Sequence, residues 1–313
     1  MENKILGLIA GHSGDSLTDE LHKLGYSVAI VCGKENEPGS DAADHCLVSD
    51  LKEKDKILSF FKSHGVKQVV MGTGVYVGYL LAEYLEKNGI RTSIDVEKSL
   101  MVKNKILTKK KFEEISVKTP KYVYYEWNEM ISPEEIIKSI GLPCVIKSNL
   151  DAIQPQCANT YDELVEGIEE VKRTHTTILI EECIQGGDTT YAIAFDGKNV
   201  THIGDVPYSK SKEYGLKGFK TPYSVLLSEK ELTVLAEVSE KIIRHIGVIG
   251  LCRIDYIISN DNYYALEVNS VIVTGYHGSA YPFFLQKGHN VAEYSVRTAL
   301  NVFENKKELL LEM

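Results

Sequence analysis

Between residues 4 and 91, short apolar runs alternate with amphipathic segments, and few folds satisfy that pattern. The runs are residues 5–10, 28–32 and 68–71, and the amphipathic segments cover residues 16–24, 54–64 and 76–88. Runs of this length suit strands, and the segments between them suit helices that cover a sheet. Strands joined through helices form right-handed βαβ units, so the pattern predicts a parallel, doubly wound Rossmann-like lobe over residues 1–95.

The pattern changes after that. Residues 96–115 are rich in lysine and read as one linking helix, placed within a connection over residues 96–118. Thr119-Pro120 then opens a new segment, because proline biases its predecessor toward extended backbone. Strands at 121–125, 143–147 and 177–182, with helices at 133–140 and 161–173, give a small α+β lobe over residues 119–188. A last lobe, residues 189–313, begins with strands at 191–195 and 200–203 and a polar loop at 204–222 that carries Lys210, Lys212, Lys217 and Lys220. A helix over 228–246 starts with Ser228 and Glu231 at capping-box spacing. Two strands at 250–258 and 263–268 follow, joined by a hairpin-type turn at 259–262.

Composition narrows the function classes. At 313 residues the chain has room for two or three lobes. None of its apolar runs approaches the roughly 20 residues needed to span a bilayer. A formal charge of −9 argues against general nucleic-acid binding, which calls for a basic surface. Residues 1–10 lack the long apolar stretch and cleavage site of a signal peptide and read as the first strand of a cytoplasmic protein. The six cysteines, Cys32, Cys46, Cys144, Cys157, Cys183 and Cys252, form no C-x-x-C pair and read as buried free thiols.

The chemistry concentrates in two tripeptides. Arg253-Ile254-Asp255 and Glu267-Val268-Asn269 each place polar residues two apart, so on strands each pair shares a face. If the short turn pairs the strands, Asp255, Glu267 and Asn269 converge with Arg253 beside them. Oxygen donors without sulfur or imidazole suit Mg²⁺, with Mn²⁺ as the alternative, and an arginine there can stabilise negative charge on a phosphoryl or acyl group. Two strands with solvated polar faces satisfy the same spacing.

Other segments complete a pattern. Residues 178–184, Ile-Leu-Ile-Glu-Glu-Cys-Ile, form an apolar strand ending in an acidic pair, followed by Gln185-Gly186-Gly187-Asp188; Lys147 closes an earlier strand. Together with the Arg-x-Asp and Glu-x-Asn pairs, and behind a Rossmann-like lobe, these resemble the ATP-grasp superfamily across nearly the whole chain. The likeness is to its D-alanine–D-alanine ligase and carbamoyl-phosphate-synthetase-like branches. It implies an N-terminal Rossmann-like preATP-grasp lobe followed by a two-lobed ATP-grasp fold of mixed α/β and α+β class. It also implies an ATP- and Mg²⁺-dependent carboxylate–amine ligase that works through an acyl phosphate, on small-molecule carboxylate and amine substrates, as a homodimer.

By position, Asp255, Glu267 and Asn269 match the metal ligands, and Arg253 matches the arginine that stabilises the acyl phosphate or tetrahedral intermediate. Lys147 and Lys105 match the phosphate-contacting lysines. Glu181, Glu182 and Ile184 match the hinge that meets adenine partly through backbone groups, and Asp188 matches the residue that holds the ribose hydroxyls. Gly275 and Ser279 match substrate-side positions, with His277 beside them. Without the resemblance, Lys105 reads as part of a solvated lysine face and Asp188 fits a turn residue, while Lys147, ending an apolar strand, places its amine at a lobe edge, with a snorkelling side chain as the alternative.

The chain departs from the family at two places. The stretch after Lys147, residues 148–157, lacks the usual glycines; Ser148, Asn149 and Gln154 are the side-chain donors available there instead. Residues 270–282 replace a Pro-Gly turn, which points to a different acceptor pocket. The first departure leaves open a nucleotide-binding protein without ligase activity. A Rossmann dehydrogenase fits poorly, since the glycines of residues 7–14 do not fall as G-x-G-x-x-G.

Overall fold

The apolar runs of the first lobe become the centre of a parallel sheet. The computed structural model describes residues 4–150, 153–207, 227–278 and 280–311. The first described sheet has the order β3-β2-β1-β4-β5, built from β1 (Ile5–Ile9), β2 (Ser27–Cys32), β3 (His45–Val48), β4 (Gln68–Met71) and β5 (Arg91–Thr92), all pairs parallel. Between them run α1 (Gly14–Lys23), α2 (Lys54–Ser63) and α3 (Tyr76–Lys87). Ile57, Phe61, Leu81 and Leu85 of α2 and α3 fill one side of the sheet. The short edge strands β3 and β5 are not visible in the apolar pattern, because β3 is largely exposed. Cys46 on β3 is therefore exposed and Cys183 half-buried, against the expectation of buried thiols, which holds for Cys32, Cys144, Cys157 and Cys252.

The linking helix is two helices. α4 (Val96–Lys103) and α5 (Lys105–Glu114) meet at Asn104, whose extended backbone (φ −81°, ψ 104°) interrupts the helix. The Asn104 side chain then accepts a bond from the Leu107 amide at 2.9 Å, capping α5. An asparagine that competes for backbone hydrogen bonds divides what periodicity alone reads as continuous.

The second sheet, ordered β6-β9-β7-β8, joins β6 (Tyr122–Tyr125), β7 (Cys144–Ser148), β8 (Gln156–Ala158) and β9 (Ile178–Glu182), every pair antiparallel. It packs on α6 (Pro133–Ser139) and α7 (Tyr161–Lys172) through Ile136, Leu164, Ile168 and Val171. The third, ordered β11-β10-β12-β13, contains β10 (Gly187–Phe195), β11 (Val200–Pro207), β12 (Gly250–Ser259) and β13 (Asn262–Asn269), again antiparallel. The strands β10 and β11 extend beyond the expected ones, so residues 204–207 are sheet and not loop; Lys210, Lys212, Lys217 and Lys220 lie outside the described residues.

Helix α8 (Glu229–Ile246) opens with the expected capping box at Ser228 and Glu231. Its Leu235, Ile242, Ile243 and Ile246 bury one face of the third sheet with Ile193, Cys252, Ile254 and Tyr256. After α9 (Ala280–Gln286), α10 (Val291–Leu311) returns to the first sheet, where Ala292, Val296, Ala299 and Phe303 pack on Leu6, Leu8, Leu21 and Ile30. The last helix thus ties the third sheet's chain to the first.

Candidate active site

The site is built on the face of the third sheet that α8 leaves uncovered. Asn260 and Asp261, with φ of 48° and 59°, form the tight turn that sets β12 against β13. Its register places Arg253 opposite Asn269 and Asp255 opposite Glu267. A bulge follows, since Tyr256 pairs with Ala265 and Leu266 has no opposite residue. The extra residue keeps Ala265 in the core while Glu267 and Asn269 stay on the polar face. The spacing that sequence alone left divided between a ligand site and a solvated face is a converged cluster.

Its electrostatics are those of crowded carboxylates. Arg253 Nη2 lies 3.6 Å from Asp255 Oδ2, and Thr190 Oγ1 on β10 donates to Asp255 Oδ1 at 2.6 Å. Asn269 Nδ2 donates to Glu267 Oε1 at 3.3 Å, and Lys105 Nζ stands 3.3 Å from Glu267 Oε2. Burial pushes Asp255 up to about 6 against the pull of Arg253, and the neighbouring Glu267 raises it further. Glu267 is penalised by burial too, yet Lys105 and the hydrogen bond with Asp255 hold it below the usual range.

This donor set fits a divalent cation with a preference for oxygen. Among the described residues no group of three or more His, Cys, Asp or Glu could hold a metal. Two carboxylates and an amide are what Mg²⁺ takes when phosphates and waters fill its other positions.

Three lysines converge from two elements. Lys105 and Lys109, one turn apart on α5, both point inward, with side-chain exposures of 8% and 0%. Lys109 Nζ lies 3.0 Å from Glu181 Oε1 and donates to Thr119 Oγ1 at 2.7 Å. Lys147 on β7 donates to Glu181 Oε2 at 2.6 Å. Glu181 is thus a buried carboxylate between two ammonium groups; burial would raise its pKa, but Lys109 and Lys147 hold it down. Asn149 fixes the start of α5 beside this cluster, its carbonyl accepting from the Lys105 amide at 3.4 Å and its Oδ1 from the Ile106 amide at 3.1 Å. The glycine-poor stretch therefore uses Asn149 to anchor a helix, and Ser148 Oγ accepts from the Ile153 amide at 3.2 Å.

The other sequence candidates are spread more widely. Glu181 stands mid-sheet, opposite Tyr122 and Val145, while Glu182 ends β9 and accepts from the Lys121 amide at 2.8 Å. Ile184 is half-buried in the connection to β10. Asp188 lies on β10, two residues from Thr190 on the same face, and not in a turn. Gly275 is packed so closely that a Cβ there would meet the His12 carbonyl at 1.8 Å. Around it Thr274 N donates to Ser13 Oγ at 3.0 Å and Tyr276 donates to Asp19 at 2.6 Å, so residues 274–276 dock on the start of α1. His277 is exposed, and Ser279 lies outside the described residues. Sequence reasoning passed over Lys109 and Thr190. Their signals were the four-residue step from Lys105 and the two-residue step from Asp188.

The profile of the D-ala D-ala ligase C-terminus family matches residues 112–288, more than half of the chain. The chain belongs to this family. As a family member it is an ATP-grasp protein and an ATP-dependent, ADP-forming carbon–nitrogen ligase. The D-alanine–D-alanine ligase of Actinobacillus pleuropneumoniae serotype 5b is 26% identical over 266 residues, covering 83% of this chain and 82% of that protein. The D-alanine–D-alanine ligase of Bacillus anthracis, solved in complex with ATP, has a TM-score of 0.74 at 19% identity, covering 97% of this chain and 99% of that one. The biotin carboxylase domain dimer of Hydrogenobacter thermophilus 2-oxoglutarate carboxylase, solved with MgADP, has a TM-score of 0.79 at 17% identity, covering 95% and 69%. The family match spans Lys147, Glu181, Arg253, Asp255, Glu267 and Asn269 of the charged site and begins after Lys105 and Lys109.

Proposed function

We propose that this ATP-grasp ligase joins a small carboxylate to an amine, with amino acids as the substrate class, through an acyl-phosphate intermediate. The observation that carries the reading is the register pair Asp255–Glu267, flanked by Arg253 and Asn269 and met by Lys105. Asp255, Glu267 and Asn269 would hold Mg²⁺, whose chemistry is to neutralise phosphate charge. Lys105 and Lys147 supply the ammonium groups for the phosphates, and Arg253 faces the charge that develops as the carboxylate attacks the γ-phosphate. The amine then displaces phosphate. Little proton transfer is asked of the protein; positioning and charge neutralisation carry the rate.

The segment 274–276, which follows β13, rests on α1, and the acceptor pocket is proposed there, with Gly275 and His277 at its margin; Ser279, outside the described residues, is proposed as a substrate contact from its place in the sequence. Glu182, Ile184 and Asp188 are proposed to hold the nucleoside, while Glu181, with both carboxylate oxygens facing lysines at 3% side-chain exposure, is proposed to act on the nucleotide only through Lys147. The homodimer and the cytoplasmic location belong to the same proposal; among the described residues no helix is long and apolar enough to cross a membrane.

The test is phosphate release with ATP and Mg²⁺ across a panel of amino acids, hydroxy acids and small carboxylates. One acid–amine pair should stimulate release strongly. With that pair, Glu267→Gln and Asn269→Ala should each lower ADP formation by roughly 10²-fold or more. Near-wild-type turnover in both variants would remove the metal assignment.

A further inference from the structure

Lys109 exposes no surface, and the proposed chemistry does not use it. Its ammonium meets Glu181 at 3.0 Å, the Thr119 hydroxyl at 2.7 Å and the Tyr122 ring, whose centroid is 5.2 Å away. A buried ammonium without a counter-charge is strongly disfavoured, so Lys109 and Glu181 hold each other. Glu181, however, serves two cations: Oε1 faces Lys109 on α5, and Oε2 accepts from Lys147 on β7. One carboxylate thus joins the linking segment to the lysine of the central sheet.

This arrangement matters if Lys147 is to move. In the structure its ammonium is held by Glu181 at 2.6 Å, and a phosphate must compete for it. Were Lys147 the sole partner of Glu181, its departure would leave a bare buried carboxylate, a heavily penalised state. With Lys109 in place the carboxylate keeps a cation throughout. We propose that Lys109 is a positioning residue: by sharing Glu181 it lets the Lys147 ammonium pass from that carboxylate to the nucleotide phosphates. The inference rests on the reading of Lys147 as a phosphate contact. The geometry assigns Glu181 a matching part, as the group that aims Lys147 before the nucleotide arrives.

Removing Lys109 should lock Lys147 onto Glu181, and removing both Lys109 and Glu181 should release it. Titration calorimetry of the full chain with ATP and Mg²⁺ reads this directly. Lys109→Met should weaken ATP binding about tenfold, and the double variant Lys109→Met/Glu181→Gln should return to within about threefold of wild type. In steady state the single variant should raise KM for ATP with kcat little changed. A residue needed only for the shape of the site would give no such recovery, because the double variant lacks it too.

The double variant keeps Lys147 as the cluster's single charge and decides the matter even if Lys109→Met does not fold. Binding more than tenfold weaker than wild type in that folded double variant overturns the inference, as does wild-type affinity in a folded Lys109→Met. Lys147→Ala, measured alongside, separates the two levels. Unchanged ATP affinity there would sink the phosphate reading and the inference together. A loss in Lys147→Ala with none in Lys109→Met would sink the inference alone.

Discussion

The two charge clusters use the same residue types in opposite balance. On the central sheet one carboxylate, Glu181, sits between Lys109 and Lys147, and the side-chain exposures are 3%, 0% and 13%. On the third sheet two carboxylates, Asp255 and Glu267, face each other at 19% and 31% exposure, with Arg253 and Lys105 beside them. The first cluster is dry and carries more cations than anions. The second is wetter, and its carboxylates crowd one another. A surplus of ammonium attracts anions, and crowded carboxylates attract a cation, so the pair is complementary to a metal-bound polyphosphate. The dry cluster also bears on folding, since its charges have no water to fall back on.

That contrast predicts which variants fail by unfolding and which by losing chemistry. The largest effect should come from Glu181→Ala, which strands two lysines against the sheet core; breaking a buried pair from one side costs about 3–5 kcal/mol. Urea unfolding should show the loss as a lower midpoint. A change under about 1 kcal/mol would mean that water reaches the central cluster and that the contrast is wrong. Glu267→Gln should behave in the opposite way. Activity should fall as proposed above, but stability should move by no more than about 1 kcal/mol, because the amide keeps the shape and relief of repulsion with Asp255 offsets the lost attraction to Lys105. A large fall in its unfolding midpoint would make the third-sheet cluster a structural pair like the first.

The two clusters were not equally legible in the sequence. Arg253-Ile254-Asp255 and Glu267-Val268-Asn269 announce themselves because strand alternation fixes the face of every second residue, and a short turn fixes the partner strand. The central cluster hides because Lys109 stands among Lys103, Lys105, Lys110 and Lys111, and a lysine-rich helix reads as a solvated one. What turns Lys105 and Lys109 inward is a pair of partners distant in sequence, Glu267 and Glu181 respectively, together with the break at Asn104 that reorients α5. Neither shows in the helix's own periodicity, which offers only the four-residue step from Lys105 to Lys109. The parallel sheet was legible through its central strands β1, β2 and β4, and its marginal strands β3 and β5 were not, since β3 is too exposed and β5 too short to stand out. The return of α10 to the first sheet was illegible for a different reason: an amphipathic helix declares that it has a partner, not which one.

The smallest effect should sharpen the third-sheet half of the comparison. Thr190 lies opposite Asp255 across β10 and β12, and its hydroxyl bond of 2.6 Å fixes the orientation of a carboxylate that Arg253 approaches from the other side at 3.6 Å. Its backbone belongs to the sheet whatever side chain it carries, so Thr190→Val should preserve the fold and lose only the donor. Supporting groups of this kind typically change metal affinity by about 10–100-fold, and the lower end applies here because Asp255 retains Arg253. The magnesium concentration giving half-maximal phosphate release should therefore rise about tenfold in Thr190→Val, and Thr190→Ser, which keeps the hydroxyl, should recover most of it. An unchanged magnesium dependence would show that Asp255 is oriented by its strand and by Arg253 alone. The wetter cluster would then owe its arrangement to the β12–β13 register rather than to side-chain support.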